Sequence, residues 1–359
     1  MTDSIYIIAE AGVNHNGSLA QAKELVDVAA TAGADAVKFQ TFTAETLVSS
    51  ALSKAEYQIA ATGSQESQYQ MIKRLELSVE AHETLAAHCR ERGIEFLSTP
   101  FDLDSLGLLV HQFNLSRLKI SSGDIGNGPL LLAAARTGKP VILSTGMSSL
   151  GEVELALGVL AFGYSGNVGA PSMAAFREAY GSVECRRRMQ KKVTLLHCTT
   201  EYPAPLPDVN LRAMNTLSHA FGTSVGYSDH TQGITIPVAA AALGATIIEK
   251  HFTLSRDLPG PDHQASLEPS ELEGMVNAIR QVELALGSAT KYPAAIELKN
   301  MLVARKVIVA AENIQKGGLF TEKNLTAKRA GEGISPLYHW DVIGKIADRD
   351  YQQNDRVEF

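Results

Sequence analysis

Cysteine is scarce in this chain. Cys89, Cys185 and Cys198 are the three, odd in number and without the paired spacing of a zinc site. A disulfide framework is thereby excluded, and a reducing, cytoplasmic setting is expected. Basic blocks are scarce as well. Lys and Arg number 32 against 39 Asp and Glu, a net charge of −7, so the chain lacks the basic stripe that a nucleic-acid partner needs. An anionic substrate has to find positive charge locally. No apolar run reaches the ~18 residues of a membrane helix. Met1-Thr2-Asp3-Ser4 leads into a strand-like run without the charged and apolar regions of a secretory leader. Arg186-Arg187-Arg188 is the one tight cationic run singled out, and it reads as a solvated face.

What the chain does have is alternation. Short β-rich runs at Ile5–Ala11, Ala34–Gln40, Ile94–Ser98, Arg117–Ser121, Pro140–Ser144, Val193–Cys198, Thr223–Tyr227 and Thr246–His251 are separated by amphipathic stretches. Leu19–Ala32, Val79–Arg92, Leu150–Phe162 and Glu268–Leu286 carry the helical period, the last opened by a capping-box pattern, Ser270 with Glu273. Eight strands alternating with helices predict an α/β fold, a (β/α)8 TIM barrel; a doubly wound open sheet has the same ingredients. Phe42–Leu77 is too long for a plain connection and reads as a lid, whereas Gly163–Lys192 reads as a surface elaboration. The expected organisation is a barrel domain over residues 1–287, a linker over 288–302 and a small β-rich domain over 303–359, with short runs at Lys306–Ala310 and Arg356–Phe359.

In a barrel the strand C-termini face the active-site mouth, and here those ends are polar. They offer Glu10, Lys38 and Gln40, Ser98-Thr99, Lys119 with Ser121-Ser122-Gly123-Asp124, Ser144-Thr145-Gly146, His197, His230, and Glu249-Lys250-His251. Polar groups at the ends of apolar strands carry a desolvation cost, so packing is a poor explanation for them. Lysines among hydroxyls and loop N–H groups suit a phosphate or carboxylate. His197 and His230, with Glu10, suit a divalent metal; His251 and His263 compete for the same role, and spacing does not choose. His82, His88, His111 and His219 fall on helices and are expected at the surface. Cys198, next to His197, is expected outside the lumen because adjacent strand side chains face opposite ways. Gly12 and Gly17 lack the Gly-Lys-Ser/Thr continuation of a phosphate loop.

The run Ile8-Ala9-Glu10-Ala11-Gly12-Val13-Asn14-His15-Asn16-Gly17, with Lys38-Phe39-Gln40-Thr41, Leu97-Ser98-Thr99-Pro100-Phe101, Leu143-Ser144-Thr145-Gly146-Met147, His197-Cys198-Thr199-Thr200-Glu201-Tyr202-Pro203, Ser228-Asp229-His230, Glu249-Lys250-His251-Phe252 and Gly260-Pro261-Asp262-His263, resembles the sialic acid (nonulosonic acid) synthase family over nearly the whole chain. The C-terminal part resembles that family's antifreeze-like (SAF) domain through Asn313–Gly317 and Lys328-Arg329-Ala330-Gly331. The resemblance implies condensation of phosphoenolpyruvate with an N-acylated mannosamine-type sugar and release of phosphate. It implies a divalent metal, typically Mn²⁺ with Mg²⁺ or Co²⁺ as alternatives, held by His197 and His230, and Glu10 as the proton-handling carboxylate. Lys38, Thr99, Lys119, Ser122 and Ser144 would grip phosphoenolpyruvate. Gln40 and Tyr202 would line the sugar side, and Arg329 would serve the sugar's N-acetyl group in a domain-swapped homodimer. One departure stands at Asp124-Ile125-Gly126-Asn127, where the family usually carries Glu; the carboxylate is one methylene shorter.

Within the family, Lys38-Phe39-Gln40-Thr41-Phe42, Glu201-Tyr202-Pro203-Ala204-Pro205 and His263-x-Ala265-Ser266-Leu267 look more like legionaminate synthases than N-acetylneuraminate synthases. The legionaminate-type substrate is 6-deoxy with a second acetamido group at C4, and Phe39 and Phe42 fit a more apolar pocket. The expected substrate is therefore 2,4-diacetamido-2,4,6-trideoxymannose, with N-acetylmannosamine as the alternative. A metal-dependent aldolase or lyase needs no phosphate grip, and a non-catalytic carbohydrate-binding protein needs no polar ring of strand ends.

Overall fold

The short apolar runs form eight parallel strands: β1 Tyr6–Gly12, β2 Ala36–Thr41, β3 Glu95–Pro100, β4 Leu118–Ile120, β5 Val141–Ser144, β6 Val193–His197, β7 Ser224–Asp229 and β8 Ile247–His251. The computed structural model describes residues 4–49, 53–54, 58–59, 62–63, 66–166 and 169–358. Met1–Asp3 and Phe359, touched on in the sequence reading, lie outside them. The strand order is β3-β2-β1-β8-β7-β6-β5-β4. Because β1 pairs with both β2 and β8, first and last strands meet, as a barrel requires and an open doubly wound sheet does not. Among the described residues, no ladder joins β3 to β4, so the barrel is nearly closed.

Local sequence explains the helices that clad it. Leu19–Thr31 starts at Ser18, whose hydroxyl accepts from the Gln21 N–H, and buries Ala22, Leu25, Val26 and Ala29. That is one stripe at helical spacing. Val79–Arg92 starts at Ser78 and stops at Gly93, which takes the left-handed conformation that ends helices. The helix Pro269–Leu286 has its capping box two residues earlier than predicted. Pro269 fills its first turn, and the Glu268 N–H donates to Glu271 Oε2 at 2.9 Å, so Ser270 and Glu273 are not the capping pair. The segment read as a surface elaboration forms two short helices, Met173–Gly181 and Val183–Gln190.

Strand parity divides the barrel into two apolar layers. Outward residues such as Ile7, Val37, Leu143, Leu195 and Tyr227 join the helices in the main core. Inward residues Ile8, Ala36, Leu97, Ile142, Leu196 and Ile247 make a separate plug across the lumen. Truncating one plug leucine costs about 2–5 kcal/mol. On β7 the inward position is Gly226, where a Cβ would lie 2.4 Å from the Ile247 carbonyl oxygen and 2.7 Å from Leu196 Cδ2. Only glycine fits, and the next inward position on that strand is Ser228.

The chain divides into two compact units, Met1–Gly287 and Ser288–Phe359. In the second, β9 Val307–Ala310 pairs antiparallel with β10 Leu325–Lys328, and Ile308, Ile314, Phe320, Tyr351 and Val357 share its small core. Arg356 contributes an isolated bridge to Val309 rather than a strand. A helix, Ala295–Ala304, runs through the stretch read as a linker and has no fully buried side chain.

Candidate active site

Two residues beyond each plug position the same inward face turns polar. Ile8 is followed by Glu10, Ala36 by Lys38, Leu97 by Thr99, Ile142 by Ser144, Leu196 by Cys198 and Ile247 by Glu249. All six line a cavity of about 270 Å³ at the C-terminal mouth. The plug thus fixes both the floor of the cavity and which side chains stand on it.

Two lysines and two carboxylates dominate that floor. Lys38 Nζ lies 2.6 Å from Glu10 Oε2 and 3.5 Å from Glu249 Oε2, and donates to Thr99 Oγ1 at 3.1 Å. Lys119 Nζ lies 3.2 Å from Glu249 Oε1, which also accepts from Ser228 Oγ at 2.8 Å. Burial raises Glu10, and the neighbouring Glu249 charge adds to it against the pull of Lys38, leaving it at about 7. Glu249 is buried too, but Lys119 and Lys38 outweigh burial and hold it well below the carboxylate range. Burial works against the Lys38 charge, yet Glu10 and Glu249 more than offset it and keep the ammonium above its ordinary value. The arrangement leaves one carboxylate firmly ionised and the other poised to trade a proton near neutrality.

Hydroxyls and imidazoles complete the walls. Ser144 Oγ, Thr200 Oγ1 and His251 Nδ1 are buried with no hydrogen-bond partner among the described residues. Buried polar atoms normally have partners, so these three are free to bond a polar ligand in the cavity. Ser122 Oγ accepts from the Gly146 N–H at 3.0 Å and lies 3.2 Å from Cys198 Sγ. A Cβ at Gly146 would sit 2.4 Å from Thr200 Oγ1 and 2.9 Å from Ser122 Oγ, which makes glycine the residue that allows this approach. His230 donates its Nδ1–H to the Thr199 carbonyl at 2.6 Å, leaving Nε2 with a lone pair. Its ring lies 4.1 Å from that of Tyr202 and 5.7 Å from that of His251. Burial lowers His230 to about 4 and His251 well below its usual value, so both imidazoles are neutral at pH 7. Two neutral imidazoles, one oriented by a backbone carbonyl and one with an unpartnered buried nitrogen, are suitable donors for a divalent cation. Among the described residues, no group of three or more His, Cys, Asp or Glu forms a metal cluster.

Of the residues singled out in the sequence, Glu10, Lys38, Gln40, Thr99, Lys119, Ser122, Ser144, Tyr202 and His230 all line this one cavity. His197 does not. It shares strand parity with the outward Leu195, its ring lies 5.9 Å from that of outward Tyr227, and its Nε2 donates to the Val209 carbonyl at 2.7 Å. Alternation holds on β6, with the opposite origin to the expected one: Leu196 faces the plug, so Cys198 faces the cavity and His197 does not. Asp124 is also absent from the lining; its carboxylate accepts from Ser121 Oγ at 2.7 Å and Asn127 Nδ2 at 3.3 Å. Phe39 is fully buried on the outer layer against Phe96, leaving Phe42 as the aromatic of that pair in the cavity. His82 is buried rather than superficial, bonded to Thr41 Oγ1 and the Ser78 carbonyl. Arg329 is an exposed residue of the second unit.

Sequence reasoning missed Ser228 and Asp262 as cavity residues, put Glu249 at a strand end without giving it a role, and ranked His251 below His197. Alternation along β8 was the available signal, since His251 and Glu249 share a face. Asp262 follows a turn and had no periodic signal; burial raises its carboxyl to about 6.

A sequence profile described as the NeuB family matches residues 25–291. The N,N′-diacetyllegionaminic acid synthase of Campylobacter jejuni is 47% identical over 98% of this chain and 98% of its own length. The enzyme of the same name from Legionella pneumophila is 44% identical, covering 94% of this chain and 89% of its own. The crystal structure of an N-acetylneuraminic acid synthetase from Leptospira borgpetersenii superposes with a TM-score of 0.66 at 34% identity, covering 83% of this chain and 90% of that one.

Proposed function

The chain belongs to the NeuB family, and from that premise we propose that it is a carbon–carbon-bond-forming transferase, an N,N′-diacetyllegionaminate synthase. It condenses phosphoenolpyruvate with 2,4-diacetamido-2,4,6-trideoxymannose and releases phosphate. The observation that carries the reading is the meeting, in one cavity, of two buried lysines with two neutral imidazoles.

The phosphate and carboxylate of phosphoenolpyruvate belong at the Lys38–Lys119 end, where Thr99, Ser122 and Ser144 add hydroxyls. The open-chain aldehyde of the sugar belongs beside His230 and His251, with Gln40 and Tyr202 along its length. A divalent cation, manganese in this proposal, would be held by His230 and His251 and supplies Lewis acidity at the aldehyde oxygen when bound. The π pair of the enolpyruvate forms the new bond from C3 to the aldehyde carbon, whose oxygen takes up the carbonyl pair and then a proton. Water adds at C2 and loses a proton to Glu10, whose pKa near 7 suits that exchange. The bond from C2 to the phosphate oxygen then breaks; phosphate departs with that pair and with the C2 hydroxyl proton, leaving a 2-keto acid. A homodimer, and contact of Arg329 with an N-acetyl group, belong to the same proposal.

The test is a phosphate-release assay with Mn²⁺ and phosphoenolpyruvate, run with no sugar, with N-acetylmannosamine and with the 2,4-diacetamido-2,4,6-trideoxy sugar. Release that requires the deoxy sugar supports the reading. No release with either sugar sinks it, and equal release with both moves the assignment to N-acetylneuraminate synthesis.

A further inference from the structure

The cavity has two ends of opposite character. Its floor carries Lys38, Lys119, Glu10 and Glu249; its outer end is walled by Val13, Phe42, Leu47, Met71, Ile72 and Leu75. These wall residues are not scattered apolar contacts. Val13, Phe42, Met71 and Leu75 are buried together in their own cluster, with Leu47, Ile72 and Phe101 against it. Phe42 meets Phe101 edge-on at 6.0 Å. A short helix, Gln68–Arg74, carries Met71 and Ile72. Its start is fixed by a capping box in which Ser67 N–H donates to Gln70 Oε1 at 3.0 Å and Gln70 N–H to Ser67 Oγ at 3.2 Å. Among the described residues of the 42–77 segment, Gln58 is the one polar side chain in the lining.

Such a wall sorts substrates. A sugar hydroxyl placed against it gives up its bonds to water and receives none in return, whereas a methyl group gains burial. The name shared by the two legionaminate relatives specifies two acetyl groups, hence two methyls to place. We propose that Phe42, Met71, Ile72 and Leu75 are the specificity-determining residues of the site, receiving the methyl-bearing end of a deoxygenated, doubly N-acylated sugar and disfavouring a polyhydroxylated one. The inference rests on the synthase reading and deepens it: the lysine end binds what all such condensations share, and the 42–77 segment decides which sugar is taken.

Discrimination by an apolar wall against an added hydroxyl amounts to about 10–100-fold in kcat/KM. The experiment measures kcat/KM for the trideoxy diacetamido sugar and for N-acetylmannosamine in the wild type and in Met71→Gln, Ile72→Thr and Met71→Leu. Gln keeps roughly the volume of Met and adds polarity; Thr keeps the β-branch of Ile and replaces its ethyl arm by a shorter hydroxyl; Leu keeps the apolar character. The expected result is that Met71→Gln and Ile72→Thr each lower the preference for the trideoxy sugar by roughly tenfold, through KM, while the KM for phosphoenolpyruvate is unchanged and Met71→Leu keeps the wild-type ratio. A cluster that merely holds the loop would lower both sugars alike, and an unchanged ratio in both polar variants overturns the proposal. Ile72 is only half-buried, so its variant answers even where Met71→Gln unfolds the segment. Failure of the wild type to use either sugar is a different result, since it removes the synthase reading itself.

Discussion

Replacing Glu249 by Gln should lower the pKa of Glu10. Glu10 stands at about 7 because it is buried and because Glu249 repels a second negative charge, with Lys38 pulling the other way. Both carboxylates reach the same ammonium, at 2.6 and 3.5 Å from Lys38 Nζ, so their oxygens are no more than about 6 Å apart. At an effective dielectric of about 20, two unit charges at that separation repel by about 3 kcal/mol, or about two pH units. The Glu249→Gln variant would keep the size of the side chain and the bond from Ser228 while removing the charge, and Glu10 would then answer alone to two lysines. Its titration should move from about 7 to about 5. The assay is an infrared or carbon-13 titration of the carboxyl groups in metal-free protein, with Glu10→Gln identifying the signal. That readout needs no turnover and no bound ion. In the active enzyme the same change should carry the low-pH limb of kcat/KM downwards, because a Glu10 that accepts a proton from water must be ionised. A Glu10 titration that stays near its wild-type position, or rises, in Glu249→Gln would refute the reasoning and leave burial alone in control.

Replacing His230 or His251 by Ala should abolish tight Mn²⁺ binding measured by calorimetry, while His197→Ala should retain it; loss of binding in all three, or in His197→Ala alone, would contradict the outward placement of His197. Lys250→Met should destabilise the barrel strongly. Lys250 is fully buried with Nζ 2.6 Å from Asp229 Oδ2 and also bonded to the Thr231 carbonyl, and Asp229 in turn accepts from the Thr231 N–H and Oγ1 at 3.1 Å. Breaking such a pair strands a buried carboxylate at a cost of about 3–5 kcal/mol. In a domain this large the melting temperature should fall by roughly 10 °C, and a change under a few degrees would show that the pair contributes little.

The barrel was legible in the sequence because its signals are local: apolar runs of strand length and amphipathic stretches between them. Most of the cavity floor was legible too, since Lys38, Thr99, Lys119 and Ser144 sit where apolar runs give way to polar residues. Of the imidazoles, His230 was read at the mouth, but His197 was preferred to His251 as its companion. On β6, Leu195 and Leu196 are both apolar because one packs under the helices and the other in the plug, so alternation cannot say which face is inward. A one-residue error there exchanges His197 for Cys198. On β7 the marker is Gly226, whose missing side chain reads in sequence as weakness but in space as the place where the lumen is fullest. Phe39 and Phe42 likewise look equivalent until the strand assigns opposite faces to them. The apolar wall was missed because 42–77 was read as one lid, although Met71, Ile72 and Leu75 stand at helical spacing around the short helix Gln68–Arg74.

Charge gives a reason for the proposed divalent cation to take neutral ligands beside the lysines. Lys38 and Lys119 are already matched by Glu10 and Glu249, and the whole chain is at −7. A phosphorylated carboxylic acid entering this floor would find no surplus positive charge, and protonation of Glu10 releases only one. Carboxylate ligands would neutralise a divalent cation before the substrate arrived. His230 and His251, kept neutral by burial, would leave that charge intact for the aldehyde and the anion of the proposed reaction. Burial thus lowers both histidines and raises Glu10, where the Glu249 charge adds to it, and in the proposed reaction the two effects serve different steps.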